Sequence, residues 1–325
     1  MKTPLFIQIY SPDLSEVSAE LRSGLMSLAA HTSPKYLYDA LGSRLFEAIT
    51  ELPEYYPTRT EARIFELNIE AMAEQVPQGA TLVDLGAGNC AKAASLFAQF
   101  LPSRYVAVDI SIAFLRNALN SLQRQYPALD MLGVGLDFST GLVLPPAVVN
   151  LKLTPRVLFY PGSSIGNFDP DAALLFLRSV RVSCGTQSGS GLLIGVDLVK
   201  NIAEMEAAYD DALGVTAAFN RNLMLHINRI GSTNFQLADW RHVALFNAFE
   251  SRIEMYLEAA RAVTVCWPGG QRAFAVGERI HTENSYKWTL DLFSELLRKA
   301  GFNKNIHWTD PEQKFAVFWA SIGNC

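Results

Sequence analysis

The stretch VDLGAG, Val83 to Gly88, decides the fold. It reads as a buried strand that runs into Gly86, Ala87 and Gly88 before a helical segment carrying Lys92 begins. Glycines in such a turn let the backbone pass close to a ligand and take torsions closed to other residues. Outward from it, short apolar runs at Thr81–Leu85, Tyr105–Val108, Met131–Val134, Arg156–Tyr160 and Gly191–Val196 alternate with helical spacing, clearest over Thr60–Val76 and Ser111–Tyr126. That alternation predicts an α/β fold with a parallel sheet covered on both faces. From Asp197 to about Ala262 the spacing reads as almost wholly helical, broken at Gly231 to Asp239. Strand patterns return at Ala273–Asn284 and Lys314–Ser321, with a helix over Leu290–Ala300 that Gly301 should stop. A sheet that pauses and resumes implies an insertion, able to combine with the N-terminal segment into a second domain that closes over the carboxyl edge of the strands.

Composition narrows the class of function. Half of the 325 residues are apolar, enough for a sizeable core. The net charge is −5, from 27 basic and 32 acidic residues, and no run of Lys or Arg could track a phosphate backbone, so nucleic acid is not an expected partner. No stretch approaches the ~18 apolar residues of a membrane span, and the first ten residues lack the apolar core of a secretory signal. Cys90, Cys184, Cys266 and Cys325 are scattered, with no spacing for zinc or a disulfide framework. The expectation is a cytoplasmic monomer without a metal.

Gly86 and Gly88 alone fit a ligand site and a bare tight turn equally well. Asp109 adds weight: it ends the next strand, YVAVD, where a carboxylate can accept from two ribose hydroxyls. Asp137 follows the strand after that, suited to an adenine amino group, with the Phe138 ring beside it. A dinucleotide site would want a third glycine where Ala91 stands, and Asp84 would repel a pyrophosphate. A sulfonium cofactor has no phosphates and is positively charged, which makes sense of Asp84. The cofactor expected is therefore S-adenosylmethionine, with Lys92 placed to meet the carboxylate of its amino acid tail.

Several long strings carry a resemblance: PKYLYDALGSRLFEAITELPEYYPTRTEARI (Pro34 to Ile64), FYPGSSIGNF (Phe159 to Phe168), DLVK (Asp197 to Lys200), AYDDALGVTAAFNRN (Ala208 to Asn222), RIEMYL (Arg252 to Leu257) and GERIHTENSYKW (Gly277 to Trp288). Together with the VDLGAG turn the chain resembles the L-histidine Nα-methyltransferases of ergothioneine biosynthesis. The resemblance implies a Rossmann-type methyltransferase domain, 60–196 and 287–325, and an α+β substrate-binding cap, 1–59 and 197–286. It implies three successive methyl transfers to the α-amino group of L-histidine, through mono- and dimethylated forms, giving hercynine. Residue by residue, it carries Asn167 over to the amino acid head of the substrate, and Tyr56 and Tyr209 to its carboxylate and amine. Gly162 and Ser164 border the reacting amine, Glu283 and Ser285 hold the imidazole, and Met255 and Phe46 form apolar walls, with Tyr38 a further pocket tyrosine.

The residue types suit those roles. Glu283 and Ser285, two apart on a strand, share a face and offer partners to both imidazole nitrogens. His281, two residues earlier, is a candidate for the same face but is read as structural. The amine must lose a proton before attack, and Tyr38 with Asn167 are the groups expected to assist, a tyrosine oxygen or water receiving it. A relative acting on another amino acid, such as a tryptophan derivative, is the alternative; loss of the Glu283 and Ser285 pair would favour it, and both are present.

Overall fold

The computed structural model describes residues 2–10, 13–139, 141–149 and 154–323. Its strands are β1 (Leu5–Gln8), β2 (Thr81–Leu85), β3 (Arg104–Asp109), β4 (Asp130–Gly135), β5 (Arg156–Tyr160), β6 (Gly191–Asp197), β7 (Trp240–Asn247), β8 (Arg252–Ala259), β9 (Val263–Trp267), β10 (Gly270–Phe274), β11 (Arg279–Tyr286), β12 (Lys304–Thr309) and β13 (Phe315–Ser321). The chain forms two compact units, 1–10, 57–199 and 287–325 in the first and 11–56 with 200–286 in the second.

The first unit is built on an eight-stranded sheet of order β1-β4-β3-β2-β5-β6-β13-β12. β1 to β6 run parallel, and β13 and β12 are antiparallel additions at one edge. Every residue of β2, β5 and β6 is buried, as continuous apolar runs covered on both faces must be. Local chemistry sets the helix ends. Asp169 caps Pro170–Cys184 by accepting from Ala172 N, Pro170 supplies the preset first turn, and Gly185 ends it at φ 79°. Successive parallel strands lie to one side of β2 in β3 and β4 and to the other in β5 and β6, which makes the carboxyl ends of β2 and β5 a topological switch point.

The second unit is α+β. A three-stranded antiparallel sheet, β11-β8-β7, and a β9-β10 hairpin pack with the helices Leu14–Met26, Ala40–Thr50 and Val215–Gly231 around a core that includes Leu21, Leu37, Phe219, Met224, Met255 and Trp240. Two expectations need correcting here. Residues 240–259, read as helix, form β7 and β8. The opening residues, placed with the second domain, give β1, which pairs in register with β4, Leu5 against Leu132 through Gln8 against Gly135, and so extends the sheet of the first unit.

Candidate active site

In the first unit the backbone of the Gly-rich turn is tied to the end of β3. Gly86 N and Ala87 N both donate to Val108 O, at 2.9 and 3.1 Å, and Gly88 N donates to Asp109 Oδ2 at 3.0 Å. Ser111 N donates to the other oxygen of Asp109 at 2.9 Å, so the carboxylate is oriented before any ligand arrives. Gly86 and Gly88 have φ of 71° and 52°, and a Cβ on Gly86 would meet nothing within 4 Å. That open cradle fits a ligand laid against bare backbone. Asp137, which accepts from Ser139 N, and Phe138, edge-on to Tyr160 at 6.1 Å, follow the end of β4.

Asp84 lies inside the sheet, in the buried strand expected of it. It is 2 % exposed, within β2, and Oδ2 accepts from the Tyr105 hydroxyl at 2.7 Å. Oδ1 has no partner among the described residues. Burial pushes its pKa up to about 7, the Tyr105 bond opposes that, and the charges of Asp109 and Glu61 add to it while Lys92 subtracts. Asp109 is likewise raised by burial, against the pull of its backbone N–H donors. Three acidic groups, Glu61, Asp84 and Asp109, act against a single ammonium, Lys92, and a cationic ligand would favour their charged forms where a pyrophosphate would oppose them.

Lys92 is not waiting for a ligand alone. Its Nζ lies 2.6 Å from Oε2 of Glu61, a carboxylate the sequence reading passed over. A signal was there: Glu61 stands three residues before the fully buried Ile64, on the inward stripe of the helix Tyr56–Ala73, where an acid is rare unless paired.

The loop after β5 is fixed from several sides. Gly162 N donates to Glu61 Oε1 at 2.7 Å, Asp197 N donates to Ser163 Oγ at 2.9 Å, and Ser164 Oγ donates to Pro161 O at 3.3 Å. Ser163 takes φ 56°, a left-handed torsion unusual for serine and upheld by that burial and bonding. The single 3₁₀ turn Ser164–Asn167 then presents Asn167 just before Phe168, which stacks on Phe176 at 5.0 Å.

Of the substrate candidates, Gly162, Ser164 and Asn167 belong to the first unit and the rest to the second. There Glu283 pairs with Met255 across β11 and β8, and Ser285 with Ile253; Glu283, Ser285 and Met255 are all buried. The Tyr209 hydroxyl and Ser285 Oγ are 2.7 Å apart. His281 does not share that face. The register shifts between His281 and Glu283, and the extra residue reverses the alternation, so His281 Nε2 bonds to Asn284 Oδ1 at 2.8 Å and its ring packs on Tyr256. Tyr38 is wedged edge-on between Phe46 at 5.7 Å and Phe219 at 5.5 Å, while Phe46 also meets Tyr55 at 6.1 Å. Tyr55 continues to Tyr209 at 6.2 Å, which makes one aromatic wall ending at Ser285. The sequence reading missed Phe219 in that wall, and also Lys200, whose Nζ donates to the Tyr56 hydroxyl at 2.7 Å.

An open sheet in this order, with a Gly-rich turn, oriented acids and no third glycine at its switch point, defines a Rossmann-type methyltransferase domain. The chain belongs to the histidine-specific, SAM-dependent methyltransferase family, whose sequence profile matches residues 17–322. It is similar to the histidine N-alpha-methyltransferase of Mycolicibacterium smegmatis, 39 % identical over 305 residues that make up 92 % of each chain. The protein of the same description from Mycobacterium tuberculosis is 34 % identical over 93 % of this chain and 94 % of its own. N-methyltransferase imqF of Aspergillus flavus is 26 % identical over 91 % of this chain and 82 % of its own.

Proposed function

We propose that this protein transfers three methyl groups from S-adenosylmethionine to the α-amino group of L-histidine, giving hercynine, in the cytoplasm. The observation that carries the substrate is the buried pair Glu283 and Ser285 on one face of β11, with Ser285 already bonded to Tyr209. A carboxylate and a hydroxyl placed inside a protein demand polar partners, and an imidazole supplies two nitrogens for them. An apolar side chain could bond to neither, and sites built to hydrogen-bond a polar group discriminate strongly against analogues that lack it.

The cofactor supplies an activated methyl group on a cationic sulfur. Gly86 and Gly88 offer it bare backbone, Asp109 the ribose acceptor, Asp137 and Phe138 the adenine surface, and Lys92 the partner for its carboxylate. Asn167, Tyr56 and Tyr209 hold the amino acid head, and the Lys200 ammonium fixes the Tyr56 hydroxyl. Direct displacement asks for a neutral amine held in line at near-attack distance, so these residues act chiefly by orientation. Tyr38, locked by its ring contacts, and Asn167 border the amine, and a tyrosine oxygen or water receives its proton.

The test is incubation of the protein with S-adenosylmethionine and each of the twenty amino acids, followed by mass spectrometry. Mono-, di- and trimethylated histidine appearing in succession supports the reading. Modification of tryptophan or another amino acid with histidine untouched replaces it by the alternative.

A further inference from the structure

Among the charged side chains of the first unit, one is more deeply committed than the assigned roles require. Glu61 is 1 % exposed and uses both oxygens, Oε2 on Lys92 Nζ at 2.6 Å and Oε1 on the amide of Gly162 at 2.7 Å. The neighbouring strand makes room for it: a Cβ on Gly195, in the middle of β6, would lie 2.0 Å from Glu61 Oε1. Gly162 is enclosed less tightly, its Cβ coming 3.2 Å from Lys92 Nζ, although its φ of 74° itself favours glycine. Burying a carboxylate as deeply as Glu61 is a poor way to add stability, because desolvating it costs several kcal/mol and a half-exposed partner such as Lys92 repays only part of that. The retention of Glu61 at this position calls for another use.

Geometry supplies one. Lys92 stands in the short helix Ala91–Ala94 that follows the Gly-rich turn, and Gly162 in the loop that leads to Ser164 and Asn167. Among the described residues, Glu61 is the side chain whose hydrogen bonds join the two. The peptide between Pro161 and Gly162 is clamped on its two polar sides, the carbonyl by Ser164 Oγ and the N–H by Glu61. Lys92, with 38 % of its side chain exposed, has room to donate outward while Glu61 holds it.

We infer that Glu61 is a positioning residue for methyl transfer, fixing Lys92 beside the cofactor turn and the Gly162 peptide of the amine-bordering loop at one mutual distance. This rests on the histidine methyltransferase reading above. Displacement at carbon tolerates little misalignment, and losing about 1 Å of placement costs on the order of 100-fold in rate.

Three variants test it. Glu61→Gln keeps the length and an oxygen for Gly162 but turns a donor toward the Lys92 ammonium; Glu61→Asp keeps the charge and is one methylene too short to reach both partners. Gly195→Ala leaves Glu61 in place and pushes its carboxylate away from outside, and serves if the Glu61 variants fail to fold. For each, thermal unfolding, calorimetric affinity for S-adenosylhomocysteine, and kcat with KM for histidine are measured. The expected result is cooperative unfolding, S-adenosylhomocysteine affinity lower by about 10-fold and kcat lower by about 10- to 100-fold, with KM for histidine changed by less than about twofold. In a Lys92→Met background, adding Glu61→Gln should change affinity by less than about twofold, since the pair acts as one unit. Wild-type affinity and kcat in folded Glu61→Gln overturn the inference. So does a fully additive double variant, or a loss confined to melting temperature, which is the mark of a structural role only. A wild-type protein that leaves histidine unmodified overturns the functional reading instead, and the affinity measurements still decide Glu61.

Discussion

Asp84 shows how a single buried carboxyl can weigh against the fold. Its ordinary pKa of 3.8 rises to about 7 in the folded chain, with burial as the main cause. A carboxyl whose folded value is raised binds a proton in the native state that the unfolded chain has already lost, so its contribution to stability falls as pH climbs from 3.8 to about 7. Above that range the buried charge costs roughly 4 kcal/mol at most. Asp84→Asn stays neutral and can still accept from Tyr105. Without cofactor, its stability relative to wild type should rise by ~2–4 kcal/mol between pH 5 and pH 8 in urea titrations, while its affinity for S-adenosylmethionine falls. A stability difference that is flat with pH would remove the role of this charge. Glu283 allows a complementary test on the substrate side. Glu283→Leu should lower kcat/KM for histidine by ~100-fold or more, through an unpaired imidazole nitrogen, with S-adenosylhomocysteine affinity unchanged by calorimetry. An equal loss of cofactor affinity would contradict its assignment to the imidazole.

At the scale of elements, the sheet around the cofactor turn was readable because its strands are unbroken apolar runs bounded by Gly, Pro and Asp, a pattern with few other meanings. β8 was not. The apolar Ile253, Met255, Leu257 and Ala259 alternate with Arg252, Glu254, Tyr256 and Glu258, of which the two glutamates are also buried, yet Ile253 with Leu257 and Glu254 with Glu258 also sit at helical i, i+4 spacing. Both periods coincide at four residues, and Glu, Met, Leu and Ala favour helix. Only pairing with β7 and β11 settles the matter, and that is a property of distant segments. The bulge that turns His281 away from Glu283 is equally invisible in composition. The residues proposed to hold the substrate come from the resemblance, whereas the groups that support them could not be read, because support depends on what folds against them. His242 is one such support. Its Nε2 donates to Tyr209 O at 2.8 Å, and its Nδ1 accepts from Asn220 Nδ2 at 2.9 Å, so β7 and the helix Val215–Gly231 together hold the tyrosine that reaches Ser285. His242→Ala should raise KM for histidine by about 10-fold, the worth of one lost buried hydrogen bond passed on to a binding residue. An unchanged KM in steady-state kinetics would show that Tyr209 does not need this anchor.

Taken as a whole, the molecule carries, among its described residues, two partly buried histidines with lowered pKa values that link its stability to acid. His242 is lowered from its usual 6.5 first by burial, against the Tyr209 carbonyl bond and the charges of Asp210 and Asp211. His281 is lowered first by burial too, with Asn284 and Glu254 pulling upward and Arg252 and His31 pushing down. Both are neutral in the folded chain at pH values where the unfolded chain is already protonated. Below about 6.5 the unfolded state therefore binds more protons, and stability falls as pH drops toward the depressed native values; above 6.5 neither group contributes a slope. Each can supply at most about 1.4 kcal/mol per pH unit. Asp84 acts in the opposite direction over part of the same range, since its protonation stabilises the native state, and wild-type stability should accordingly change less between pH 7 and pH 5 than two histidines alone would dictate. The groups separate by mutation. In an Asp84→Asn background the acid loss is unmasked, and replacing His242 and His281 together by Gln should flatten it, leaving unfolding free energy by urea titration nearly level from pH 7 to pH 5.5. A slope that persists in the triple variant would assign the acid sensitivity to other groups.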